Sequence, residues 1–171
     1  MTHAALYGGL LIATTAVLQS TLLRFLEIAG VAPDLVLVMV VFLANKNGKM
    51  VGQVTGFAGG VVLDVMGLAP LGFYALIYTV LGALFGVTRG KMFVDPIFMP
   101  VALTVVAALI KALVALLVGG LFAIAAVRET VFSSSYLIEI AYTGLLGPVV
   151  FALLGLVGSL QPDRRKGEAF R

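Results

Sequence analysis

Long apolar stretches alternate with short polar breaks along this chain. Six stretches stand out, at 4–23, 35–44, 50–66, 71–88, 96–122 and 136–160. A helix needs about 20 apolar residues, at about 1.5 Å each, to cross a hydrocarbon core about 30 Å thick. Five of the stretches come near that length. The second covers only about 15 Å, half a bilayer. Extending it back to Ile28 gives a full span but takes in Pro33 and Asp34. Proline suits a first helical turn and aspartate a helix N-terminus. The second stretch is therefore a thin span or a re-entrant half-helix, and its strong apolarity favours a span. In the sixth stretch, Gly147-Pro148 predicts a kink. The first has no basic residue before it and further spans after it, which predicts a retained helix rather than a cleaved signal.

Composition turns this pattern into a fold class. Of the 171 residues, 61% are hydrophobic and 11% charged, with a mean hydropathy of +1.16. Soluble domains run at about 45–50% apolar and about 25% charged. The polar side chains here are too few to cover a soluble surface, and disorder requires the opposite composition. The prediction is an all-α integral membrane protein, a compact bundle of about six transmembrane helices. It forms one transmembrane domain over 1–162, followed by a basic tail at 163–171.

Charge orients the bundle through the excess of Lys and Arg in cytoplasmic loops. With six spans and a cytoplasmic N-terminus, eight of the 11 basic residues fall inside: Lys46, Lys49, Arg89, Lys91, Arg164, Arg165, Lys166 and Arg171. Arg24 and Arg128 fall outside, and Lys111 lies within the membrane. A re-entrant second stretch gives five spans, an outer N-terminus and Arg24 inside. Both arrangements keep the C-terminus cytoplasmic. The net charge of +3 is mostly this bias, suited to anionic lipid headgroups rather than to nucleic acid.

The chemistry-bearing patterns are sparse. Cysteine is absent and the one histidine is His3, so disulfides and a transition-metal site are not expected. There is no phosphate-binding loop, nucleophile elbow or H-E-x-x-H helix. Ser133-Ser134-Ser135 follows Arg128-Glu129 with no histidine to activate a serine, which predicts a polar loop. The expectation is a non-catalytic protein without a cofactor.

Helical spacing supplies sharper features. Gly48, Gly52, Gly56, Gly60 and Asp64 recur every four residues, lining one slowly drifting face of the third stretch. Such a stripe lets another backbone approach closely, either inside the bundle or in a partner. Ala5, Gly9 and Ala13 repeat the theme in the first stretch, and Gly82, Gly86 and Gly90 in the fourth. Asp64 is either a functional intramembrane carboxylate or a cap for the turn at Gly67-Leu68-Ala69-Pro70. Lys111 sits mid-stretch beside Ala107, Ala108 and Ala115. A charge at the bilayer centre costs about 2.5–3.5 kcal/mol on insertion scales. Lys111 is therefore predicted to pair with an intramembrane carboxylate, Asp64 or Glu139 being nearest in depth. Arg24, Glu27 and Asp34 suggest a small ion-paired cluster near the outer surface, of little energetic weight.

One ordered run of residues carries a family resemblance. It begins with Leu18-Gln19-Ser20-Thr21 and Pro33-Asp34-Leu35. It continues through Gly56-Phe57, Gly59-Gly60, Asp64, Gly67 and Pro70-Leu71-Gly72 to Tyr74-Ala75-Leu76. Over these sixty or so positions the chain resembles MreD, the bacterial rod shape-determining membrane protein family. Beyond Val80 the likeness is one of length, span number and basic tail.

The resemblance implies a bundle similar to the substrate-binding subunits of energy-coupling-factor vitamin transporters. It implies a scaffold of the cell-elongation machinery that helps regulate peptidoglycan synthesis. The implied partner is an MreC-like single-span protein, with RodA, a class B penicillin-binding protein and MreB in the same machine, and a homo-oligomer is left open. The resemblance also implies a bacterial inner-membrane location. Its motif positions are Gln19, Pro33, Asp34, Gly56, Phe57, Asp64, Pro70 and Gly72, of which Pro33-Asp34 and the Gly56 to Asp64 stretch are the expected structural or partner contacts. The alternative reading is a vitamin-type binding subunit of a membrane transporter.

Overall fold

The computed structural model describes residues 2–22, 27, 30–89 and 97–156. Seven helices form among them: α1 Thr2–Leu22, α2 Leu35–Asn47, α3 Lys49–Met66, α4 Phe73–Val87, α5 Phe98–Leu121, α6 Ala125–Val131 and α7 Ser134–Leu156. α5 and α7 are long and apolar enough to cross a membrane, while α2 and α4 are shorter apolar helices. The short helix α6 lies where the sequence predicted only a loop. Ser134 and Ser135 open α7, and the Ser133 hydroxyl accepts the Tyr136 N–H at 3.2 Å. α7 runs through Pro148 without interruption.

α2 is the centre of the molecule. Every residue from Val36 to Ala44 is buried, as are Asn45 and Asn47. A helix that is hydrophobic all round has no face for water and must be enclosed. α1, α3, α4, α5 and α7 all pack on it. At 13 residues it is only about 20 Å long. Enclosure by protein makes that length tolerable, since α2 has no need to match the bilayer itself.

The chain reverses from α2 into α3 across one residue, Gly48, whose φ of +95° is a conformation side chains rarely adopt. α3 then pairs with α4 along its glycine stripe. Lys49 meets Gly86, Gly52 meets Gly82, Gly56 meets the Tyr78 backbone and Gly60 meets Ala75. The two numbers in these pairs add to nearly the same value, the mark of antiparallel helices in fixed register. A Cβ at Gly52, Gly56 or Gly60 would overlap the backbone of α4, and one at Gly82 would overlap α3.

In α1 the buried stripe is Gly8, Ile12 and Ala16. It is offset by one residue from the predicted Ala5, Gly9 and Ala13. Gly9 and Ala13 are half-buried, and a Cβ at Gly9 would come no closer than 3.9 Å to Ala58. The side chain of Ala5 lies outside the described residues, as do Arg24, Gly90, Lys91 and the whole tail from 163 to 171.

Candidate functional site

Four helices converge on one polar cluster in the apolar core. Asp34, at the entry to α2, has both carboxylate oxygens engaged. Its Oδ1 caps the helix by accepting the Leu37 N–H at 2.9 Å. Its Oδ2 accepts the Tyr78 hydroxyl of α4 at 2.5 Å and the Lys111 ammonium of α5 at 2.6 Å. The Asp34 N–H donates to the Thr143 hydroxyl of α7 at 3.0 Å. Lys111 also donates to Glu139 Oε1 of α7 at 2.8 Å, and its Nζ stands 5.9 Å from the centre of the Tyr136 ring. Gln19 of α1 completes the surround, its Oε1 accepting the Leu35 and Val36 N–H groups at 3.1 and 3.3 Å.

Local sequence explains each placement. Ala107, Ala108 and Ala115 are buried and small, giving the lysine stem room against the neighbouring helices. Tyr136 is held by donating its hydroxyl to the Ala108 carbonyl at 2.8 Å. Burial grades across the ion cluster: side-chain exposure is 5% for Asp34, 11% for Lys111 and 25% for Glu139. Asp34 is thus an internal counter-ion, while Glu139 stands at a boundary.

That boundary is hollow on two sides. One cavity of about 250 Å³ is lined by Lys111 and Glu139 with Phe73, Tyr74 and Tyr136, and is flanked by Ile124 and by Val127 and Val131 of α6. A second, of about 280 Å³, is lined by Gln19, Asp34, Tyr74, Tyr78, Lys111 and Glu139. Among the described residues no set of three His, Cys, Asp or Glu is placed to hold a metal ion.

The structure redistributes the residues singled out in the sequence. Asp34 does not belong to a surface cluster with Arg24 and Glu27. It is buried, Glu27 is exposed and Arg24 lies outside the described residues. Asp64 is not the partner of Lys111. Its carboxylate accepts the N–H groups of Gly72, Tyr74 and Ala75 at 2.9, 2.8 and 3.1 Å, capping α4 from the end of α3. Gly72 has a φ of +94°, and the turn from Pro70 into α4 closes against this cap. Pro33 precedes the Asp34 cap, while Phe57 is exposed on the outer face of α3. Sequence reasoning missed Asp34 as a partner of Lys111, and Tyr78 and Thr143 as partners of Asp34. The available signal was the set of hydroxyl residues on two largely apolar helices, Tyr74, Tyr78 and Thr79 on α4 and Ser134, Ser135, Tyr136, Tyr142 and Thr143 on α7, from which spacing alone does not pick the two that reach Asp34.

No curated protein and no solved structure matches the chain. A family model described as rod shape-determining protein MreD matches residues 3–157, and with them every helix of the bundle and every residue of the ion cluster. The chain therefore belongs to the MreD family of rod shape-determining membrane proteins.

Proposed function

We propose that this protein is a non-catalytic scaffold of the cell-elongation machinery, a bundle of about six membrane spans that docks the membrane helix of an MreC-like partner. Regulation of peptidoglycan synthesis would follow from that assembly, with RodA, a class B penicillin-binding protein and MreB as the wider set of partners. The bundle would sit in the inner membrane with its C-terminus, and in the six-span arrangement its N-terminus, in the cytoplasm. A likeness to the vitamin-binding subunits is part of this reading, as a common bundle rather than a common substrate.

One observation supports the docking role best. The glycine stripes of α3 and α4 are consumed by each other, so they leave no groove for a partner. α4 and α5 instead part to leave an apolar groove of about 300 Å³, lined by Leu84, Phe85, Met99, Ala102, Leu103 and Val106 among others. Between helices in lipid, association depends on close van der Waals contact. A recess beside the small residue Ala102 offers such contact to one further helix.

Ala102 is exposed, so Ala102→Phe fills the groove without entering the core. Co-purification with an MreC-like partner should fall several-fold while the thermal unfolding of the isolated bundle stays unchanged. Undiminished co-purification would remove this groove as the docking surface.

A further inference from the structure

The ion cluster is unbalanced. Two carboxylates, Asp34 and Glu139, share the single ammonium of Lys111. Asp34 meets three donors, Leu37, Tyr78 and Lys111, with both its oxygens engaged, and it makes the shorter contact with the lysine, 2.6 Å against 2.8 Å. Glu139 is left with one hydrogen bond, through Oε1. A carboxylate held away from water is costly unless its charge and its acceptor sites are met. Among the described residues, Glu139 is also the only carboxylate lining the cavity of about 250 Å³, whose walls include Phe73, Tyr74 and Tyr136.

From this arrangement we propose that the cavity is a binding site for a small organic ammonium group. Glu139 supplies the counter-charge. The aromatic walls supply the face-on attraction that cations find at phenol and benzene rings. Lys111 does not oppose the ligand, because Asp34 neutralises it on the opposite side. At about 30 Å³ per water-sized group, the space holds about eight such groups, enough for a short amine or an ethanolamine headgroup. Leu68, Ala69 and Pro70 on one side and α6 on the other form its rim. The ammonium could arrive on a free amine or on a lipid, and both present the same chemistry. This site goes beyond the scaffold reading and stands or falls without it.

The chain reports on its own cavity. It has five tyrosines and no tryptophan, and two of the tyrosines, Tyr74 and Tyr136, line the site. The full-length protein in nanodiscs of phosphatidylglycerol is titrated with butylamine and, separately, with butanol, while tyrosine fluorescence is followed. Butylamine should give a saturable change and butanol none. Glu139→Gln should raise the half-saturating concentration about tenfold or more, since it removes one partner of a buried charge pair. If phosphatidylethanolamine in the nanodisc abolishes the butylamine response, the natural occupant is a lipid headgroup; if the response persists, it is a free amine.

Equal responses to butylamine and butanol, or no saturable response to either, would overturn the proposal and leave Glu139 as a structural ion-pair member alone. Should Glu139→Gln fail to fold, the amine-against-alcohol contrast on the unmodified chain still decides. Tyr74→Leu then serves as the second variant, expected to weaken butylamine several-fold.

Discussion

Lys111 is the residue on which the interior charge balance turns. It is bonded to both Asp34 and Glu139, so removing it strands Asp34 in the apolar core and leaves Glu139 without a counter-ion at its edge. Breaking a buried ion pair from one side typically costs about 3–5 kcal/mol. Lys111→Met keeps the stem and removes the charge, and it should lower unfolding free energy by about that amount in reversible denaturation from mixed micelles. Adding Asp34→Asn to that variant should restore at least about 1 kcal/mol, because the two residues are directly coupled. A simple sum of the two single costs would show that they act independently.

The position of Asp34 also shows why this site was only half legible in the chain. A Pro-Asp pair before an apolar run reads as a surface cap. α2, however, runs only about 20 Å from Asp34 to the turn at Gly48, shorter than a layer about 30 Å thick, so a bundle with Gly48 at one surface would hold Asp34 within that layer. Lys111 lies thirteen positions along α5 from Phe98, about 20 Å from its start, and reaches the same depth. The depth of Asp34 depended on helix length and anchoring point, which residue types alone do not specify.

Among the elements, the α3–α4 pair makes the glycine pattern quantitative. Gly56 and Gly9 both belong to four-residue repeats, yet they face different surroundings. A methyl at Gly56 would overlap the Tyr78 carbonyl, whereas one at Gly9 would reach only ordinary contact with Ala58. Gly56→Ala should therefore destabilise by about 1–3 kcal/mol, the usual cost of forcing a well-packed contact apart. Gly9→Ala should be neutral or stabilise by up to about 1 kcal/mol, through reduced freedom of the unfolded chain. Thermal unfolding followed by circular dichroism separates the two, and equal shifts would refute the register. The stripe itself was readable, since its spacing stands in the chain. Its occupant was not, because the same spacing suits a sister helix and a partner equally well. α6 escaped notice because seven residues around Arg128-Glu129 are too short to show a helical period.

At the scale of the whole molecule, α2 is enclosed on every side, and its backbone should be the last to meet solvent. Opening free energy rises toward the core of a fold. In hydrogen–deuterium exchange its amides should be the slowest of the described helices and those of α6 among the fastest. Comparable exchange in α2 and α6 would contradict the central placement. The same enclosure explains why hydropathy ranked α2 as a span while its length argued against one. Hydropathy measures how apolar a segment is, and it does not distinguish lipid from protein as the apolar surrounding.

The separation of Asp34 from its counter-ion has a consequence for biosynthesis. The two residues lie 77 positions apart in the chain. At about 5–20 residues per second, Lys111 is made about 4–15 seconds after Asp34. Throughout that interval α1 to α4 can pair through their glycines, but the carboxylate at the head of α2 has no lysine to meet. The central helix can be neutralised only once α5 has been synthesised, and the cluster closes only when α7 brings Glu139 and Thr143. A nascent bundle halted before α5 would carry an unpaired charge at its heart, a chemical mark by which an unfinished copy differs from a finished one.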